Sequence, residues 1–184
     1  MFLYPSPRQT TEGHRETLRT NGWTFCPVDI MDEDGDVSLP IPGGKWLTEL
    51  SVGKHILNYD AMLVLTHFKG HTVGGFGGSL KTFPSAAPQG NWASSRSISC
   101  RADGTWPGGP LFMERMVEGG KHYIIWAHIT YINVLRNMSV DCDCAGLGAA
   151  APTTPDLGII RLDGYSAVDQ ASVAHGLWHC PEAQ

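Results

Sequence analysis

The 184-residue sequence predicts an α/β fold: a single domain over 1–184 with a parallel or mixed sheet and flanking helices. Three features predict it. Apolar runs of strand length recur along the chain, segments of helical pattern lie between them, and clusters of glycine and proline separate the two. The length suits one hydrophobic core, and 42% apolar residues is a globular composition.

Taken in order, T-T-E-G-H-R-E-T-L-R reads as a short polar helix that Thr10 or Thr11 can cap. F-C-P-V-D-I reads as a strand. Y-D-A-M-L-V-L-T reads as a second strand, apolar on both faces and therefore expected at the centre of the sheet. P-L-F-M-E-R-M-V-E-G-G reads as a helix closed by Gly119 and Gly120. I-T-Y-I-N-V-L and D-L-G-I-I read as buried strands. S-A-V-D-Q-A-S-V-A-H-G-L-W reads as a last helix capped by Ser166, with Asp169 near its start, where a carboxylate suits the helix dipole. No internal repeat or interdomain linker is visible.

The formal charge is -5, and the 13 basic residues are scattered. Nucleic acids and anionic membranes need a concentrated basic patch, so neither is an expected partner. No apolar run approaches the length of a membrane span, and M-F-L-Y-P-S-P-R lacks the core of a signal peptide. Five cysteines without framework spacing fit a reducing compartment. A cytoplasmic protein is expected, in which the sequon Asn137-Met138-Ser139 carries no glycan.

The chemistry gathers in T-H-F-K-G-H-T-V-G-G-F-G-G-S-L-K, residues 66–81. A strand that ends in glycines puts them where open α/β sheets bind ligands. Gly74, Gly75, Gly77 and Gly78 are the cofactor-binding candidates: positive φ there would aim backbone N–H groups at an anion. The loop is not a Walker motif, because Lys81 follows Ser-Leu, and not a dinucleotide fingerprint, because no glycine stands three positions after Gly77. What remains is His67 and His71 on one side and Lys81 on the other. Downstream, Val140-Asp141-Cys142-Asp143-Cys144 offers a Cys-x-Cys pair that can chelate a metal or supply two cluster ligands. Cys142, Cys144 and His67 are the metal-ligand candidates, with His71 and Cys100 able to complete the set. The alternative is a turn in which the aspartates bond backbone N–H groups. Cys26, Cys100 and Cys180 read as structural thiols, and His14 and His55 as surface residues. If 60–66 and 129–135 are parallel neighbours, the glycine loop and the cysteine pair share one sheet edge.

T-H-F-K-G-H-x-x-G-G-F-G-G-S-L-K resembles the signature of the uncharacterised iron–sulfur-centre protein family, also called domain of unknown function 362. The resemblance continues through T-T-E-G-H, P-V-D-I-M-D-E-D-G, V-G-K-H-I-L-N-Y-D, F-M-E-R-M, Y-I-N-V-L-R-N-M-S-V-D-C-D-C and A-V-D-Q-A-S-V. Many members carry a ferredoxin-like insertion with C-x-x-C spacings, which this chain lacks. A more distant likeness links the same loop to the nickel-pincer lactate racemases. It implies Lys81 as the cofactor attachment point and His71 as the acid–base residue. Their nickel-binding histidine should follow Lys81, yet 82–101 contains no histidine, which disfavours a nickel-pincer nucleotide.

After Lys81 the family would read close to N-I-G-I-G-C-A where this chain has T-F-P-S-A-A. A one-base slip in degenerate codons restores N-I-P-I-G-C. Parts of 82–102, 121–128, 161–166 and 174–180 are therefore expected to be frame-slipped, which sequencing the source gene would decide.

The functional expectation is a cofactor- or metal-binding protein of redox or isomerase type. Its catalytic residues would be His71 and Lys81, its ligand a small molecule, metal ion or iron–sulfur cluster, and a redox partner is conceivable. The rivals are a non-enzymatic metal-binding module and an inactive family remnant.

Overall fold

The computed structural model describes residues 10–72, 74–82, 108–123, 128–142 and 151–178. Helix α1, Thr11–Thr20, starts where the Thr10 hydroxyl accepts the Gly13 N–H at 3.1 Å. It buries none of its residues and is tied down by an Arg15–Glu33 ion pair at 2.5 Å. Residues 25–30 form no strand. Pro27 has no N–H to give a ladder, and the Asp29 carboxylate is bonded to His55 and Tyr59 instead.

A hairpin that the sequence reading missed follows: β1, Asp36–Pro40, pairs antiparallel with β2, Glu49–Gly53. Leu50 and Val52 of β2 are buried in the main core. A 3-10 turn, Lys54–Asn58, leads into β3, Ala61–His67.

Two short strands, β4 (Lys69–His71) and β5 (Gly75–Gly77), then form a small antiparallel hairpin, and α2, Ser79–Thr82, follows directly. Helix α3, Gly109–Tyr123, runs straight through Gly119 and Gly120. A Cβ on Gly120 would come within 2.8 Å of Leu80 Cδ1, so that glycine serves close packing and not helix termination. Strand β6, His128–Leu135, and strand β7, Gly158–Leu162, precede α4, Tyr165–Trp178. The Val168 N–H bonds the Gly164 carbonyl, so α4 begins two residues earlier than a Ser166 cap allows.

The principal sheet has the order β3-β6-β7, with β3 parallel and β7 antiparallel to β6. The fold is α/β with a mixed sheet, as the alternation of elements predicts. Strand β6 is the central one among the described residues, and β3 lies at the edge. Val64 and Thr66 face the core, whereas Leu63 and Leu65 are each 60% exposed. The apolar run of β3 is thus covered on one face, not two.

Val64, Tyr131, Val168, Phe112 and Met116 join Leu47, Leu50 and Val52 in one core. A smaller cluster of Phe68, Leu135 and Met138, with Phe76 packed against it, supports the sheet edge. Arg161 and Leu162 keep β7 in register with β6, and Tyr165 packs edge-on against Tyr131 at 6.2 Å. Residues 161 and 162 thus belong to the sheet, and Tyr165 packs against the core. Most of 82–102 lies outside the described residues. Among the described residues, no helix is long and apolar enough to cross a membrane.

Candidate functional site

Parallel pairing runs from Ala61↔His128 to His67↔Val134, so β3 and β6 release their chains at the same edge. The two segments that leave are stitched together there. The Gly70 N–H donates to the Ser139 carbonyl at 2.8 Å, and a Cβ on Gly70 would overlap the Val140 carbonyl. The Asp141 carboxylate accepts from the Thr72 N–H at 3.1 Å, the Thr72 hydroxyl at 2.5 Å and the Cys142 N–H at 2.6 Å. These bonds, the Thr72 hydroxyl foremost, hold Asp141 below its ordinary pKa.

Lys81 of α2 brings its ammonium to 3.9 Å from the buried Cys142 Sγ. His71 stacks nearly parallel on Phe112, with ring centroids 6.0 Å apart. Its Nδ1 accepts the Gly74 N–H at 2.9 Å, which leaves the proton of the neutral ring on Nε2. Burial, then the Lys81 charge, push the His71 pKa down, with Lys69 adding to this and Asp141 opposing. His71 is accordingly a neutral imidazole at pH 7, with a donor at Nε2.

Beneath these groups lies a polar network in the core. Asp169 accepts the Ser79 N–H at 2.7 Å, the Leu80 N–H at 2.8 Å and Asn133 Nδ2 at 2.8 Å. The Ser79 hydroxyl donates to Asn133 Oδ1 at 2.7 Å, and Asn133 Nδ2 also reaches Ser172 Oγ at 2.9 Å. Burial raises the Asp169 pKa more than these hydrogen bonds lower it. The network clamps the start of α2, and with it Lys81, to β6 and α4.

The glycines do not form an anion cradle. Gly74, Gly75 and Gly77 belong to the β4–β5 hairpin, Gly78 leads into α2, and of the four only Gly75 has positive φ, at 76°. A Cβ on Gly78 would overlap the Asp169 carboxylate, so that position is glycine for close approach. The Gly74 N–H is already taken by His71. Gly77 pairs with Lys69, and a Cβ there would lie 3.4 Å from the Lys69 side chain.

His67 shares the face of Leu63 and Leu65, and its Nε2 donates to the Arg136 carbonyl at 2.7 Å. Cys144 and Cys100 lie outside the described residues. A groove of about 480 Å³ between Lys45, Trp46 and α3 stands apart from this edge. Its carboxylates are engaged locally, Glu114 with Trp46 Nε1 at 2.5 Å and Glu118 with the backbone N–H groups of residues 45–47.

Among the described residues, three or more metal-capable side chains converge at one place, Asp29, Glu33 and His55, whose ligand atoms lie within 4.8 Å of one another. His55 is not a free surface residue. Its Nδ1 meets Asp29 Oδ1 at 2.6 Å and its Nε2 meets Asp34 Oδ2 at 2.8 Å, leaving the side chain 14% exposed. Hydrogen bonds to Asp29, then Asp34, raise the His55 pKa, and the Tyr59 hydroxyl foremost lowers that of Asp29.

Asp141 accepts backbone N–H groups, as the turn reading of the aspartates expects, whereas sequence reasoning missed Asn133 and this second group. Asn133 had one visible signal, a lone amide in an otherwise apolar strand, I-T-Y-I-N-V-L.

No curated protein and no solved structure matches the chain. The stitched edge, the network beneath it and the acidic histidine group all fall within residues 1–174, the span matched by the family model described as Domain of unknown function (DUF362), and the chain belongs to that family.

Proposed function

We propose that this is a cofactor- or metal-binding protein of redox or isomerase type whose site lies at the carboxyl edge of the β3–β6 pair. One observation carries the reading: Lys81 Nζ lies 3.9 Å from Cys142 Sγ where two parallel strands release their chains. An ammonium, a thiol and a neutral imidazole then face one ligand-binding edge. In this reading His71 moves a proton through Nε2, suited by a pKa below the usual imidazole range. Lys81 supplies a fixed positive charge or an amine for covalent attachment. Cys142 supplies a soft ligand or nucleophile, and His67 a nitrogen ligand. The partner is a small molecule, with a redox partner for the redox form of the reading.

The donor set bears on the cofactor. An iron–sulfur cluster needs about four thiolates. The described residues put one thiol, Cys142, at this edge beside an ammonium. As described, that edge falls short of a cluster's ligand set. It suits an anionic organic cofactor held by Lys81 or a single metal ion on Cys142.

Native mass spectrometry with elemental analysis of anaerobically purified protein tests the reading. A covalent or tightly held organic adduct that disappears in Lys81→Met supports an enzyme. Metal lost in Cys142→Ser with no adduct supports the binding module. Neither, in a protein that melts cooperatively, overturns the proposal.

A further inference from the structure

We propose that Asp29, Glu33 and His55 form a site for a first-row divalent transition-metal ion, separate from the β3–β6 edge. A cluster of carboxylates alone would not support this, since such groups are common on protein surfaces. The imidazole changes the argument. His55 has each ring nitrogen committed to a carboxylate, Asp34 at Nε2 and Asp29 at Nδ1. A ligating histidine is typically oriented this way, one nitrogen facing the metal while the other donates to a carboxylate outside the coordination shell. Asp34 fits the outer role, being on the solvent side with 70% of its side chain exposed. Without an ion both ring N–H groups donate to carboxylates, and an arriving ion displaces the Nδ1 proton and takes that nitrogen beside Asp29 Oδ1. The second Asp29 oxygen accepts the Tyr59 hydroxyl, so both first ligands have an outer partner.

The third ligand comes from Glu33. Arg15 holds its Oε2 at 2.5 Å, which fixes the carboxylate without using both oxygens. The side chains belong to two backbone segments that are joined rigidly. The His55 N–H bonds the Met31 carbonyl at 3.0 Å, and the Lys54 N–H bonds the Gly35 carbonyl at 3.0 Å. A Cβ on Gly53 would sit 2.6 Å from the Met31 carbonyl oxygen, so the segments can approach only through that glycine. The β1–β2 hairpin thus brings residues 29–34 and 55–59 together before any ion arrives.

Charge and donor type name the ion. Once His55 has given up its Nδ1 proton, Asp29, Glu33 and Asp34 with Arg15 carry a net charge of about −2, which one divalent ion neutralises. One nitrogen and two or more carboxylate oxygens, with no sulfur, suit Mn(II), Fe(II), Co(II), Ni(II) or Zn(II). Calcium and magnesium, which take all-oxygen shells, do not use the imidazole. Metal–ligand bonds of about 2.0–2.2 Å need the Nδ1–Oδ1 pair to part to roughly 3 Å. From 2.6 Å that is a small side-chain movement.

The test is titration of chelator-stripped full-length protein with Co(II), followed by visible absorption and calorimetry, then displacement by Zn(II). The expected result is one Co(II) bound through nitrogen and oxygen, retained in Cys142→Ser and in Lys81→Met. Retention in those variants separates this site from the one proposed at the sheet edge. His55→Gln should abolish binding. Asp34→Asn, a change at an exposed position that leaves the fold intact, should weaken it about 10–100-fold through the lost outer partner. The proposal is overturned if Co(II) binds wild type and His55→Gln alike, if Asp34→Asn leaves the affinity unchanged, or if Mg(II) displaces Co(II) at equal concentration. Absence of Co(II) binding to folded wild-type protein overturns it as well.

Discussion

Asp169→Ala removes a carboxylate that is 3% exposed and accepts three hydrogen bonds. The Ser79 and Leu80 N–H groups lose their acceptor, while Asn133 Nδ2 keeps Ser172 Oγ. Each buried donor left without a partner costs about 1–3 kcal/mol, so the two backbone groups account for roughly 2–6 kcal/mol. Part is recovered, because the protein no longer buries a carboxyl group whose pKa burial has raised. A net loss of about 3 kcal/mol follows. For a chain of this size that is a fall in Tm of about 6–12 °C. Asp169→Asn should fall between the two. Its amide oxygen can still accept from Ser79 and Asn133, but its NH2 faces the Leu80 N–H, and we expect about 1.5–2 kcal/mol. Urea melts followed by circular dichroism at pH 7 measure both. An Ala variant that loses less than about 1 kcal/mol, or an Asn variant worse than Ala, would refute the network as the clamp of α2.

Three further outcomes follow from the same geometry. Gly70→Ala should part the two loops, because its Cβ would overlap the Val140 carbonyl; a loss of about 1–3 kcal/mol and broadened Thr72 and Cys142 amide resonances are expected, and an unchanged spectrum would count against the contact. In nuclear magnetic resonance titration His71 should protonate below 6.5, and Lys81→Met should move that midpoint upward by removing the second-largest cause of the shift. Because the unfolded chain takes that proton first, His71 contributes stability above pH 6.5 that is lost as pH falls through its folded pKa, and His71→Gln should flatten this slope. Glu118→Ala should cost about 2 kcal/mol by stranding the N–H groups of Trp46 and Leu47, each bonded at 2.9 Å; an unchanged urea midpoint would show the 45–47 turn holds by itself.

The strands of the principal sheet were legible because their apolar runs are strand-length and rich in Val, Ile and Leu. The parallel pairing of β3 with β6 entered only as the condition for the glycine loop and the cysteine pair to share one edge, and the antiparallel β7 was not foreseen. What failed did so for identifiable reasons. F-C-P-V-D-I has strand composition, but Pro27 cannot join a ladder. The β1–β2 hairpin was hidden because Pro40 ends β1 and Pro42, Gly43 and Gly44 dominate the region between two five-residue strands. The glycines show the deeper limit. A glycine can be required by its own φ, as at Gly75, or by a neighbour, as at Gly78. The second case depends on a carboxylate at Asp169, which nothing in the local sequence announces. His55 is similar: its role is set by Asp29 and Asp34, residues that meet it only through the fold.

The hydrogen bonds that shape the edge also set an order of events during synthesis and folding. Lys81 meets Cys142 across 61 positions, and Ser79 meets Asp169 across 90. The β4–β5 hairpin and α2 therefore leave the ribosome long before the residues that fix them. Such distant contacts are the late and slow ones, since the intervening chain must close before they form. Until α4 docks, the Asp169 clamp on the start of α2 is missing. Shortening the chain before Asp169 would dismantle the edge without altering one of the side chains that line it.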